Sequence, residues 1–140
     1  MLHDPGLAAE VGEGYDRLPL NIAHGLMSFR FLKLFCTAAD ELEDLHTLLT
    51  FEQLLCYERE RNFIDFFICN ERLEEDIFLV LEGCGVAILV QEKADILALP
   101  RKNASSRRAS LVDYYDEATL QLVAKRDRLI IEKFNYAPPF

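Results

Sequence analysis

The sequence predicts a predominantly helical α/β fold with one or two short strands, and three observations carry that expectation. Hydrophobic residues make up 51% of the 140 and charged ones 28%, enough to bury a core and too apolar for a disordered chain. Apolar residues recur at helical spacing over most of the length. A single short run, Phe63-Ile64-Asp65-Phe66-Phe67-Ile68-Cys69, is aromatic and β-branched and bounded by polar residues, as a strand would be. The length suits one compact domain over 1–140: an irregular lead-in at 1–17, a helical part at 18–62 and a C-terminal part at 63–140.

The lead-in is Gly-rich, acidic and without periodicity. The first helix is expected over about 21–35. There Leu26, Met27, Phe29, Phe31, Leu32 and Phe35 crowd most of the circumference, so the helix should be well buried. Asp40 to Arg61 reads as one helix or two abutting ones, with Leu42, Leu45, Leu49 and Cys56 as its apolar stripe. Thr50 and Gln53 have the spacing of a capping box and would mark a second start.

After the Phe63–Cys69 strand, Asn70 is expected to cap a helix over about 71–82. Glu71, Glu74, Glu75 and Asp76 lie in its favourable first turns, and Leu73, Ile77, Val80 and Leu81 form its inner face. Gly83 and Gly85 end it. Val86 to Val90 is expected as a second strand or an extended buried segment, and 96–113 as a loop. A last helix over about 116–135 turns Leu120, Val123, Ile130, Ile131 and Phe134 inward, and Pro138 and Pro139 stop anything further.

Charge narrows the function classes. The net charge of −9 argues against general nucleic-acid binding. It is unevenly spread: 19 acidic against 7 basic side chains up to Asp95, and 5 against 8 from Ile96 onward. A basic segment in an acidic chain suits a single anion better than a polyanion. Cys36, Cys56, Cys69 and Cys84 form no CxxC pair and read as free thiols of a reducing compartment. His3, His24 and His46 lack metal-site spacing, so no metal is expected. Neither a membrane span nor a signal peptide is read, and a cytoplasmic location is expected.

The loop from Pro100 to Ser110 is the most informative local feature. Arg101, Lys102, Arg107 and Arg108 sit with Asn103, Ser105, Ser106 and Ser110 and with no acid. Guanidinium forks, an ammonium and short hydroxyls suit a phosphate or sulfate group. The plainer alternative is a solvated basic loop, and Arg107-Arg108-Ala109-Ser110 also fits a basophilic kinase site. The acidic cluster after Asn70 is explained by its helix start, and Tyr114 and Tyr115 are read as packing residues. His24, beside Gly25, is weighed as a catalytic base and read as a core or partly buried histidine, since no nucleophile or carboxylate adjoins it in sequence. Catalytic residues are not identifiable: GxxxxGK[ST], GxGxxG, HExxH and GxSxG are all absent.

Two segments together carry a family resemblance. Phe63 to Asp76 resembles the strand-then-helix "F-V-x-x-F-E-x-L-x-x-D" stretch of carbohydrate-type sulfotransferases. Leu99-Pro100, Asn103, Ser105, Asp113-Tyr114-Tyr115-Asp116, Leu122-Val123, Asp127 and Phe134-Asn135-Tyr136 then resemble that family's "L-P-x-x-N-x-S…Y-Y-D…L-V…D…F-G-Y" ending. Order and spacing agree over about 63–136. The resemblance implies a partial nucleotide-binding fold and 3′-phosphoadenosine 5′-phosphosulfate as cofactor, the sulfonate donor to a hydroxyl or amine. It makes Arg101, Lys102, Asn103, Ser105, Arg107 and Arg108 candidate nucleotide contacts. The implied ligand is a nucleotide or a sulfated or phosphorylated small molecule.

The family's N-terminal strand, its P-K-x-G-[ST] phosphosulfate loop with the following base, and its 3′-phosphate motif have no counterpart in the sequence. Sulfonate transfer relies on donors that such a loop supplies. The expectation is therefore the C-terminal part of such an enzyme, truncated, a relative rather than an independently active enzyme. The alternative is a non-catalytic helical interaction module. An unpaired edge beside Phe63–Cys69 would invite association, so a homo-oligomer or a protein partner is expected of both.

Overall fold

The structure is a computed structural model that describes residues 14–36, 42–100 and 113–137. The chain divides into two compact units: Met1–Phe63 with Ala109–Phe140, and Ile64–Arg108 between them in sequence. The described residues are predominantly helical and contain no strand. None of their helices is long and apolar enough to cross a membrane.

The first unit opens with a 3-10 turn, Tyr15–Arg17, and two helices, α1 (Leu20–Ala23) and α2 (Leu26–Phe35). The single helix expected over 21–35 is thus broken at His24-Gly25, where the backbone is extended. Nor is α2 buried all round: Ser28, Phe29, Phe31 and Leu32 form its inner face, while Met27 and Leu34 are exposed. A 3-10 segment, Leu42–Thr47, precedes α3 (Phe51–Arg61). The capping box forms as its spacing predicts. Gln53 N–H donates to Thr50 Oγ1 at 3.2 Å, and the Gln53 amide oxygen accepts from Thr50 N–H at 2.9 Å. Over the described residues 42–61 the chain forms two helical segments with a break at 48–50, the two-helix alternative.

The C-terminal part of this unit holds α6 (Glu117–Arg126) and α7 (Arg128–Phe134), so the helix expected over 116–135 is interrupted at Asp127. Asp116 caps α6 by accepting from Thr119 N–H at 2.7 Å, and hydrogen bonds from the Thr119 side chain first and its N–H second draw the Asp116 carboxyl below the ordinary value. Of the inner face expected over 116–135, Leu120, Ile130, Ile131 and Phe134 are half-buried and Val123 is exposed, while the buried residue is Leu129. Tyr114 is exposed rather than packed. Asn135 closes α7 in the left-handed region (φ 53°, ψ 43°), and Tyr136 N–H returns to the Ile131 carbonyl at 3.0 Å.

Helices α2 and α3 both pack on α7. Phe31 meets Phe134 edge-on at 6.0 Å, and Phe29, Leu20, Leu32, Leu45, Leu54 and Leu129 are fully buried. Each such side chain contributes roughly 1.5–3 kcal/mol of apolar burial.

The second unit begins in irregular extended chain. The strand expected at Phe63–Cys69 does not form, because its backbone donors find other acceptors: Phe63 N–H bonds to the Phe35 carbonyl at 3.1 Å, and Cys69 N–H to Asp76 Oδ2 at 2.8 Å. A strand needs a neighbour to pair with, and no other strand lies among the described residues. Asn70 opens a 3-10 turn, Asn70–Arg72, instead of capping the helix. Helix α4 (Leu73–Gly83) buries Asp76 and Phe78 most deeply; of the expected inner face Ile77, Val80 and Leu81 are half-buried and Leu73 is exposed. Gly83 ends it where the Phe66 ring would meet any side chain at 3.3 Å, and Gly85 follows at φ 77°.

The strand or extended buried segment expected at Val86–Val90 is neither: 86–89 is irregular, Val86, Leu89 and Val90 are exposed, and Val90 opens a helix that the apolar spacing does not predict, α5 (Val90–Leu97), which also enters the expected 96–113 loop. The Glu92 carboxylate starts it by accepting from Leu89 N–H at 2.8 Å. Lys93 joins α5 to α4 by pairing with Glu82, its ammonium 5.4 Å from the Phe78 ring centre.

Candidate functional site

The expected nucleotide contacts Arg101, Lys102, Asn103, Ser105, Arg107 and Arg108 lie outside the described residues. Within the first unit the described residues form a different basic site. It is a cleft of about 550 Å³ lined by Ile22, Ala23, His24, Leu49, Phe51, Leu122, Lys125, Arg126 and Arg128.

Two helix breaks build it. At the first, the Gly25 N–H donates to the Arg126 carbonyl at 2.7 Å. At the second, Asp127 Oδ1 accepts from Ser28 N–H at 2.9 Å and so caps α2 from the far end of the chain. A Cβ on Gly25 would overlap the Asp127 carboxylate, so the junction requires glycine here for space. The Arg126 guanidinium donates to the Asn21 carbonyl, and to the His24 carbonyl and Tyr15 Oη at 3.3 Å each. The Tyr15 hydroxyl also donates to the His24 carbonyl, at 2.7 Å. These bonds satisfy the carbonyls that end α1 and anchor one wall of the cleft.

His24 sits in that wall, 5% exposed. Burial lowers its pKa and Arg126 lowers it further, against a hydrogen bond to the Thr50 backbone and the charge of Asp127. Its Nε2 is buried with no hydrogen-bond partner among the described residues. Opposite in character is Arg128, whose guanidinium lies 3.9 Å from the Phe51 ring centre while its Nε bonds to Glu132 at 2.6 Å.

The lining thus combines three cationic side chains with four large apolar ones and contains no carboxylate. Its volume falls in the range of small-molecule sites, and three of its four large apolar side chains, Ile22, Leu49 and Leu122, are exposed to solvent. The site can hold an anion that carries an apolar body.

Of these residues the sequence marks His24 as a core or partly buried histidine, which it is, and Leu49 as part of an apolar stripe, whereas Leu49 is half exposed. Lys125, Arg126 and Arg128 were not singled out. Their signal was the Lys-Arg-Asp-Arg run: cations where one helix ends, then an aspartate where the next begins. No family model, curated protein or solved structure matches the chain.

Proposed function

We propose that this chain is a non-catalytic binding module for a small organic anion, related to the C-terminal part of sulfotransferases. The observation that carries the proposal is the cleft whose lining includes Lys125, Arg126 and Arg128 with no acid. Two local details support the relation to sulfotransferases. Asn135 takes a left-handed conformation where that family places glycine before its final tyrosine. Asp127, the family-pattern aspartate, makes a structural bond across the unit. On this reading the ligand is a sulfated or phosphorylated small molecule, and the basic segment bearing Arg107 and Arg108 is a second place for the same chemistry.

The test is a thermal-shift and calorimetric titration with three probes: naphthalene-2-sulfonate, inorganic sulfate, and 3′-phosphoadenosine 5′-phosphate. An apolar anion should raise the melting temperature more than sulfate does, because it also fills the apolar wall. Lys125→Glu with Arg128→Glu should weaken it by about tenfold or more, roughly 1.4 kcal/mol. Loss of binding in Arg107→Ala/Arg108→Ala but not in that pair would move the site to the basic loop. No shift with any probe at millimolar concentration sinks the proposal.

A second reading, self-association, is favoured by one observation. In the second unit Leu79 is 66% and Val90 86% exposed, and Leu89, Leu97 and Leu99 are exposed as well, whereas Asp76 and Phe78 are the buried residues described there. Exposed apolar surface of this kind marks contact sites. Sedimentation velocity across the micromolar range should show a concentration-dependent dimer that Leu79→Lys with Val90→Lys disperses. A monomer at every concentration removes this reading.

A further inference from the structure

We infer that Arg128 selects the ligand of the cleft, held by Phe51 and Glu132 so that its terminal nitrogens grip a sulfate or phosphate group side by side. The inference rests on the proposed anion-binding function and names the group that recognises the anion.

The three cations of the lining are not equivalent. Arg126 is engaged by the wall, where its guanidinium bonds to the Asn21 and His24 carbonyls and to Tyr15 Oη. Lys125 is exposed and pairs with no acid among the described residues, so it supplies a point charge on a flexible stem. Arg128 is restrained from two sides. Its guanidinium carbon lies 3.9 Å from the centre of the Phe51 ring, itself part of the lining, which places the charged group at the cleft. Its Nε donates to Glu132 Oε1 at 2.6 Å, one turn along α7.

Glu132 takes only Nε. The terminal nitrogens of Arg128 make no hydrogen bond among the described residues, and the side chain is 50% exposed. That leaves the end-on edge of the guanidinium, whose parallel N–H groups match two oxygens of one oxyanion. Asp127 stands between Lys125 and Arg128 in sequence, but its carboxylate is turned to Ser28 N–H and pairs with neither cation. The apolar end of the ligand then meets Ile22, Leu49 and Leu122, the exposed aliphatic residues of the same lining. The ligand class follows: an apolar body that ends in a group with two accepting oxygens side by side. A halide of equal charge gains nothing from the fork.

Glu132 acts through Arg128, as a positioning residue, and its effect has a sign that charge alone does not give. Removing an acid beside a cation strengthens anion binding by Coulomb's law. Removing the group that holds the fork weakens it, because binding must then freeze the rotamers of a long side chain. The restraint outweighs the charge here, since both side chains are half exposed and their charges are screened.

The experiment is calorimetry with naphthalene-2-sulfonate on the wild type, Arg128→Lys, Glu132→Ala and Glu132→Gln. Arg128→Lys keeps the charge and should bind about tenfold more weakly, because an ammonium has no fork. Glu132→Ala should weaken binding by about threefold. Glu132→Gln, whose amide oxygen still accepts from Nε–H, should restore it. NMR of the wild type gives the same answer without any variant. Two parallel bonds arrest rotation of the guanidinium, so the terminal N–H signals of Arg128 should separate on addition of the sulfonate. Equal binding by Arg128→Lys, tighter binding by Glu132→Ala, or Arg128 signals that the sulfonate leaves unchanged each overturns this inference and leaves the binding function standing. Absence of binding by every probe overturns the function, and this inference with it.

Discussion

Lys133→Met is expected to destabilise the protein by about 3 kcal/mol, because it strands a buried carboxylate. Glu58 is 6% exposed, and Lys133 Nζ and Asn62 Nδ2 each reach its Oε1 at 2.7 Å. Burial pushes the Glu58 carboxyl up. The hydrogen bonds from Lys133 and Asn62 and the charges of Lys133 and Arg59 outweigh it and hold the group below its ordinary value. The ammonium also stands 5.6 Å from the Phe31 ring centre, so the substitution keeps an apolar stem of similar length in place to isolate the charge effect.

The pH dependence gives the sign. A depressed carboxylate stabilises the native state above its unfolded value, and the contribution is lost as pH falls through the folded one. In Lys133→Met burial dominates, so stability should instead fall as pH rises above the ordinary carboxylate range. Urea denaturation across acidic and neutral pH reads both slopes. Glu58→Leu/Lys133→Met should recover most of the loss, since a matched apolar pair leaves no orphan charge. Unchanged denaturation midpoints in Lys133→Met would show that the pair contributes nothing. Cys36 is subject to the same surroundings: burial and Glu58 push its thiol up to about 12 against the pull of Lys133. It behaves there as a small hydrophobe.

Gly25→Ala should cost about 3 kcal/mol, although the backbone there (φ −84°) suits any residue. The cost is steric. The added methyl group would occupy the place of the Asp127 carboxylate, which must swing away and leave Ser28 N–H without its acceptor. Loss of that cap accounts for about 1 kcal/mol and overpacking for the rest. Asp127→Ala alone should show the cap loss. Combined with Gly25→Ala it should restore most of the stability, because the methyl group then enters vacated space. A double variant less stable than Gly25→Ala would refute this account of the junction.

Local signals in the sequence were legible where a few neighbouring residues decide the structure. The Thr50–Gln53 box, the glycine stop after α4 and the tolerance of Asn135 for left-handed backbone are settled within five or six residues. Phe63–Cys69 was misread because its composition is strand-like, but a strand is a relation between two segments. Asp76 and the Phe35 carbonyl take its donors instead. The breaks at Gly25 and Asp127 were also beyond local reading. The apolar spacing continues through both, and each exists because of the other, about a hundred residues away. Helix α5 carries no buried stripe to betray it: every residue in it is exposed or half-exposed, and Glu92 is its clearest start signal. The cleft was hidden for the same reason as the breaks, since its lining is drawn from both ends of the first unit.

The bonds of Asp127 and Arg126 to Ser28, His24 and Tyr15 join residues 99 to 111 positions apart. During synthesis α1 and α2 therefore leave the ribosome before the partners that cap and anchor them exist. The first unit cannot close until α6 has emerged, and residues 64–108 are made in the interval. Loop closure grows only slowly more costly with length, so that intervening stretch is free to lengthen, shorten or diverge at little expense to the unit it interrupts.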